Sequence, residues 1–117
     1  MLVWHKDLWL IDHGAALYFH HGWSRGADQP DRFADQPYDA THHIMLSHVD
    51  ALASVDAQFA PLITHDLLTD ALGAVPDEWL EPAPGLPGPG DVRGAYVRYL
   101  LARAAGPRSW LPRRVAS

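Results

Sequence analysis

The fold is decided at the start of the chain by the stretch Leu2-Val3-Trp4-His5-Lys6-Asp7-Leu8-Trp9-Leu10-Ile11-Asp12-His13-Gly14. Its apolar and aromatic residues favour β-structure and predict a hairpin with strands at residues 2–5 and 8–12, joined at Lys6-Asp7. Because the second strand is a continuous apolar run, we expect both of its faces to be covered. Gly14 accepts positive φ, which suits a sharp change of direction after the strand.

The residues after this motif predict helices separated by irregular segments. Residues 22–40 hold glycines, prolines and aspartates with little periodicity, so they predict a long surface loop. Apolar residues then recur at helical spacing from Thr41 to a break near Ala60-Pro61. Thr64 is a suitable N-cap for a second helix over residues 65–74.

The last third of the chain predicts one short helical turn and one longer helix. The turn is expected at residues 76–80, where a proline precedes two acidic residues. The Pro- and Gly-rich residues 82–90 predict a linker, after which Asp91 caps a helix that ends near Ala105. Residues 107–117 predict a tail, with Trp110 and Leu111 held against the core. The whole chain therefore predicts one α+β domain that is mainly helical.

Composition excludes several classes of protein. The chain has 117 residues, a formal net charge of −5 and no cysteine. The lack of cysteine excludes disulfides and thiolate zinc sites and fits a reducing cytoplasm. The basic residues form no stripe of the kind that binds nucleic acid. No apolar run is long enough to span a membrane, and the first residues do not have the pattern of a signal peptide. We therefore expect a cytoplasmic protein without a nucleic-acid or membrane partner.

Several segments resemble one known family. The residues from Leu2 to His21, LVWHKDLWLIDHGAALYFHH, are similar to the segment that follows the catalytic loop in actinobacterial HipA-like kinase-domain proteins. Three further segments resemble the C-terminal helices of the same family: residues 76–80, 96–103 and 107–111. The similarity covers most of the chain and is weakest in residues 22–40.

The resemblance implies a protein-kinase-like fold, of which this chain would be a hairpin and the helical C-lobe. It implies ATP and Mg²⁺ as cofactors, and transfer of a phosphoryl group to a hydroxyl of a protein substrate. By the same resemblance Asp12 corresponds to the metal-binding aspartate, and His13 and Gly14 complete the triplet beside the nucleotide. The nucleotide lobe and the Asp-Arg-x-x-x-Asn catalytic loop of the family have no counterpart in these residues.

Taken without the resemblance, the residues around Asp12 allow two interpretations. An aspartate at the end of an apolar strand, followed by a glycine-containing turn, offers Mg²⁺ the hard oxygen ligand that it prefers. The same side chain can instead cap a turn. His13 can orient Asp12 or a phosphate, or it can be a hydrogen-bonded structural residue. His20 and His21 can contact phosphates, although a structural pair is favoured.

The remaining histidines offer a second, weaker metal hypothesis. Three of them lie on one predicted helical segment with Asp39 and Asp50 nearby: His42, His43 and His48. Their spacing differs from the i, i+4 pattern of zinc ligands on a helix, and no His-Glu-x-x-His sequence occurs. A solvated helix face is therefore favoured over a metal site.

Two other clusters are interpreted as structural. The aromatic residues of the C-terminal half have the spacing of a hydrophobic core, and not of a stacking platform: Trp79, Tyr96, Tyr99 and Trp110. The arginines near the C-terminus are expected to form a solvated tail: Arg103, Arg108, Arg113 and Arg114.

Two functions follow as expectations. The first is the C-terminal fragment of a HipA-like ATP-dependent phosphotransferase, produced by a truncated gene or by a reading frame that starts at an internal Met. Such a chain would be inactive alone, because phosphoryl transfer needs several charges acting together. The alternative is a non-catalytic binding or regulatory module that pairs with a partner or with a separately encoded kinase part. Apolar faces left by the missing lobe would favour such association.

Overall fold

The described part of the chain is a β-hairpin and a mainly helical body. A computed structural model describes residues 1–11 and 30–112. Its strands are β1 (Leu2–Trp4) and β2 (Asp7–Trp9), and its α-helices are α1 (Leu52–Phe59), α2 (His65–Gly73) and α3 (Pro89–Ala105). Short 3-10 helices occupy Pro30–Phe33, Leu46–Ala51, Ala60–Leu62 and Asp77–Trp79. The expected class, α+β and mainly α with an N-terminal hairpin, is confirmed.

The hairpin turn lies one residue earlier than predicted. β1 and β2 are antiparallel, with Leu2 opposite Trp9 and Trp4 opposite Asp7, so the loop between them is His5-Lys6. Both loop residues have positive φ, 51° and 69°. Two-residue hairpin loops of type I′ require this conformation because its twist matches that of the strands. The prediction of a turn at Lys6-Asp7 is therefore wrong.

The apolar strand is exposed, and not covered on both faces as the sequence suggested. The side chains from Leu8 to Ile11 are between 44% and 64% exposed. An apolar run shows that a strand can be buried, but burial also needs another element to pack on it. In the described part of the chain, the main contacts of β2 are with β1.

Helix α3 organises the core. It supplies most of the buried apolar residues in the described ranges: Val92, Ala95, Tyr96, Val97 and Tyr99. Around Val92 and Tyr96 pack Leu80 and the partly buried Leu72, Val75 and Leu86. Burial raises the pKa of the Tyr96 phenol by desolvation. The prediction that Tyr96 and Tyr99 belong to the core is thus confirmed, whereas Trp79 is 74% exposed and its assignment to the core is wrong.

The beginning of α3 differs slightly from the predicted one. The helix starts at Pro89, and its N-cap, Gly88, lies three residues before the expected cap Asp91. The Asp91 carboxylate still has a capping function, because it accepts a hydrogen bond of 3.1 Å from the Gly88 amide. This is the half of a capping box in which the third helical residue reaches back to the N-cap. The helix ends at Ala105, before Gly106, as predicted.

Helix α2 is the element that the sequence predicted best. The Thr64 hydroxyl accepts a hydrogen bond of 3.2 Å from the Leu67 amide, which confirms Thr64 as the N-cap. At the opposite end, the Arg93 guanidinium of α3 donates to the carbonyls of Leu72 (3.1 Å) and Val75 (2.6 Å) and to Asp77 Oδ1 (2.5 Å). Because the last carbonyls of a helix have no partner within it, Arg93 both caps α2 and holds it against α3.

The predicted loop at residues 22–40 is partly ordered against α3. Its described portion begins with the 3-10 helix Pro30–Phe33, which packs on α3. Ala34 and Ala40 are buried, and the Ala34 carbonyl accepts a hydrogen bond of 3.0 Å from Arg103 Nη1. Residues 30–33 show no periodic signal because a single helical turn is too short to show one. The predicted loop is therefore helical at residues 30–33 and buried at Ala34, whereas Asp31, Arg32 and Phe33 are exposed as expected.

The helices of residues 1–11 and 30–112 lack the length and apolar character needed to cross a membrane. The helix predicted from Thr41 begins only at Leu46, as a 3-10 helix followed by α1, and neither part contains a fully buried side chain. The predicted break near Ala60-Pro61 is displaced to Ile63, because Ala60–Leu62 continue as a 3-10 helix.

We predict that the substitution Lys6→Gly stabilises the hairpin by about 1 kcal/mol, because glycine adopts positive φ without the steric cost that a side chain incurs. Amide hydrogen exchange at Trp4 and Asp7, the pair that closes the loop, should slow accordingly. The matched control is Lys6→Ala, which removes the same side chain but keeps the Cβ and should bring no gain. Equal exchange in the two variants would show that the turn does not have this conformation.

Candidate functional site

The predicted magnesium ligand lies immediately beyond a described strand. Leu10 and Ile11 continue from β2 and are the last residues described before position 30. Asp12, His13, Gly14, His20 and His21 lie outside the described residues. The structure therefore shows the exposed apolar residues that precede this motif. The metal-binding role of Asp12 stays a prediction.

Two of the three histidines at residues 42–48 make local hydrogen bonds. His43 Nδ1 accepts from the Met45 amide at 3.2 Å, and His48 Nδ1 lies 3.0 Å from the Ser47 hydroxyl. Within residues 1–11 and 30–112, no group of three or more His, Cys, Asp or Glu side chains is placed to hold a metal ion. His42 and His48 are exposed, in agreement with the predicted solvated face.

The residues that follow α3 form a cluster of contacts that the sequence did not reveal. Gly106 ends the helix at a point where a Cβ would approach the Ala102 carbonyl oxygen to 3.0 Å. Two residues later, Arg108 has a φ of 54°, which is unusual for a residue with a side chain. The chain therefore turns back along the helix, and its next residues contact distant parts of the fold.

Arg108 connects this turn to α1. Its Nε and Nη2 donate to Asp56 Oδ2 at 3.0 and 2.8 Å, while Nη1 donates to the Ala104 carbonyl at 2.7 Å. The two charged side chains are only 25% and 22% exposed, so water screens the ion pair less than it screens a pair on an open surface. The guanidinium is thus fixed by the end of α3 while it binds α1.

The two residues after Arg108 bind to other elements. The Ser109 amide and hydroxyl donate to the two Asp35 carboxylate oxygens at 2.7 and 2.6 Å. These hydrogen bonds, helped by the nearby Arg103 charge, lower the pKa of Asp35 below its usual value. The Arg103 guanidinium stacks 4.4 Å from the centre of the Trp110 ring. Arg103 and Arg108 therefore hold the fold together, and their prediction as a solvated tail is wrong.

Apolar cavities border the Asp56–Arg108 pair. A groove of about 570 Å³ separates α1 and the following 3-10 turn from α3, and small side chains line it, among them Ala57, Ala60 and Ala104. A second cavity of about 380 Å³ lies among larger residues, including Phe59, Leu100 and Trp110. Grooves of this size with few polar groups are suited to binding an apolar surface.

The charged side chains around these cavities already bind other groups of the protein. Asp56 and Arg108 bind each other, and Arg103 binds the Ala34 carbonyl. Trp110 Nε1 has no hydrogen-bond partner among the described residues, but less than 1 Å² of that atom is accessible, so a ligand oxygen cannot reach it.

The sequence contained little that could reveal this cluster. The pair Gly106-Pro107 indicated a reversal of the chain after α3, but the partners of the residues that follow lie far away in sequence. Asp56 is 52 residues from Arg108, and Asp35 is 74 residues from Ser109. Neither aspartate lies in a motif that distinguishes it from the other acidic residues.

Comparison with known proteins identifies no relative: no protein-family model, no curated protein and no solved structure matches the chain.

We predict that Asp35 titrates below its usual pKa of 3.8 and that the attachment of Ser109 depends on its ionised form. Because the folded-state pKa is lowered, this contribution to stability is present above pH 3.8 and is lost as the pH falls through the lowered value. NMR titration of the Asp35 carboxyl and of the Ser109 amide should give the same midpoint. The substitution Ser109→Ala should move that midpoint upward, and an unchanged midpoint would contradict this assignment of the cause.

Proposed function

We propose that this chain is the C-terminal part of a HipA-like ATP-dependent phosphotransferase, in which Asp12 binds Mg²⁺ and His13 and Gly14 lie beside the nucleotide phosphates. The observation that supports the proposal is the position of the hairpin just before Asp12 in the sequence. β2 and the apolar residues Leu10 and Ile11 lead directly to Asp12. In kinases, an aspartate that follows a strand and precedes a glycine-containing turn has this metal-binding position.

The donor chemistry of this motif fits the metal. A carboxylate oxygen is the kind of ligand that Mg²⁺ takes from proteins, with water and phosphate oxygens completing its octahedron. Bound there, Mg²⁺ would neutralise charge on the phosphates of ATP. The chain itself would contribute the Asp12 carboxylate, which follows β2 by three residues along the sequence.

These 117 residues are proposed to have no kinase activity by themselves. They contain no Asp-Arg-x-x-x-Asn sequence to supply a catalytic base and second metal ligand, and no Gly-x-x-x-x-Gly-Lys phosphate loop. Phosphoryl transfer depends on positioning and on several charges at once, so one aspartate cannot replace the rest. ATP, and a protein Ser or Thr hydroxyl as acceptor, belong to the complete catalytic unit, which we place in the cytoplasm.

A second candidate function is supported by the exposed hairpin. The side chains of Trp4, Trp9 and Leu10 are 59%, 52% and 64% exposed. A two-stranded hairpin is at best marginally stable alone in water, and contiguous exposed apolar residues mark a contact surface. The chain would then be a non-catalytic binding or regulatory module whose hairpin is covered by a partner, such as a separately encoded kinase part.

The metal-binding proposal is tested with Mn²⁺, a paramagnetic substitute for Mg²⁺, added with ATP to the purified chain. We predict that NMR signals of the Leu10 and Ile11 amides broaden and that Asp12→Ala abolishes the broadening. The control Asp70→Ala removes an exposed carboxylate from α2 and should leave it unchanged. Broadening that survives in Asp12→Ala would overturn the metal assignment. ATP turnover that is lost in Asp12→Ala would instead overturn the proposed inactivity.

The contact-surface proposal is tested by light scattering at increasing protein concentration. We predict that the purified chain self-associates when no partner is present and that Trp9→Thr reduces this association, because a large apolar side chain leaves the exposed strand while β-propensity is kept. Trp79→Thr removes an equally large and more exposed side chain outside the hairpin, and should have no effect. A wild-type chain that remains a monomer would argue against the need for a partner.

A further inference from the structure

We propose that residues 46–62 form an arm that opens away from α3 as a unit, and that the Asp56–Arg108 ion pair is the latch that holds it closed. The arm consists of the 3-10 helix Leu46–Ala51, α1 and the 3-10 helix Ala60–Leu62. The three elements follow one another along the chain without an intervening residue, so the arm contains no loop. The proposal is independent of the phosphotransferase assignment.

The arm is weakly packed compared with its neighbours. None of its three elements contains a fully buried side chain. Its main contacts among the described elements are between its own parts, whereas α2 and the 3-10 helix Pro30–Phe33 both pack extensively on α3. Elements with few buried apolar contacts are the ones that open at low free-energy cost while the rest of a protein stays folded.

A cavity lies on each side of the Asp56–Arg108 ion pair, between the arm and the region of α3. On one side the groove of about 570 Å³ lies between Ala57 and Ala104. On the other side, a cavity of about 320 Å³ lies between Ala53 and Leu111. Between these spaces, Asp56 reaches Arg108, whose guanidinium is held in place by the carbonyl of Ala104. Apolar packing is therefore reduced where the ion pair makes its contact.

The backbone at both ends of the arm allows such a movement. Ile63 (φ −81°, ψ 87°) interrupts the helical conformation after the arm, and Thr64 is the N-cap of α2. Before the arm, Met45 is also outside the regular helical region (φ −98°, ψ 7°). Rotation at these few residues moves the arm without disturbing the caps of α2 or the core around α3. Opening uncovers the apolar side of α3 at the partly buried Leu101 and Ala104.

The test is amide hydrogen exchange on the full chain, with Asp56→Ala as the variant. Alanine has a higher helix propensity than aspartate, so faster exchange in α1 cannot result from a weaker helix. We expect the amides of residues 56–60 to exchange roughly tenfold faster than in the wild type, while those of residues 95–103 in α3 are unchanged. The control Asp70→Ala makes the same substitution on α2 and should leave exchange in α1 unaltered.

Two outcomes would overturn the proposal. Unchanged exchange in residues 56–60 of Asp56→Ala would show that the ion pair does not hold the arm. An equal acceleration in α3 would show that the loss of the ion pair destabilises the whole body. Should Asp56→Ala fail to fold, Asp56→Asn decides, because it removes the charge and keeps the size and shape of the side chain. Exchange in residues 56–60 of Asp56→Asn should be faster than in the wild type relative to α3, and a constant ratio would refute the latch.

Discussion

The described part of the chain depends on the burial of one face of α3. Val92 and Tyr96 pack against Leu80, which follows the 3-10 turn at Asp77–Trp79, and Ala95 packs against Ala83 and Leu86. Each large side chain buried in this way stabilises the fold by about 1.5–3 kcal/mol. The same helix carries the arginines that bind the neighbouring elements, since Arg93 caps α2 and Arg103 reaches Ala34. Loss of this face would leave α2 and the residues around Ala34 without their main support.

The sequence predicted those elements whose signals are local. Thr64 could be identified as a cap because its hydroxyl binds an amide only three residues away, and Gly106 marked the end of α3 for a similarly local reason. The hairpin was also evident, but its turn was misplaced because the requirement for positive φ at His5 is not visible in residue type. The coverage of β2 was overestimated, since apolarity does not determine what packs on a strand.

The contacts that the sequence could not predict join distant residues. Arg108 was interpreted as part of a charged tail, although it binds Asp56 across 52 residues, and nothing near either residue indicates the pairing. Asp12 presents the opposite case, because its sequence context suggests a function while its surroundings lie outside the described residues. The hairpin that leads to Asp12 and the groove beside Arg108 are separate features, and each can be tested without the other.

The attachment of residues 108–110 has a consequence for the order of folding. The contacts between α2 and α3 close short loops, whereas the hydrogen bonds from Arg108 to Asp56 and from Ser109 to Asp35 close loops of 52 and 74 residues. The entropic cost of closing a loop rises with its length, and long-range contacts form late when local ones can form first. We therefore expect the pairing of α2 with α3 to form before the contacts of Arg108 and Ser109.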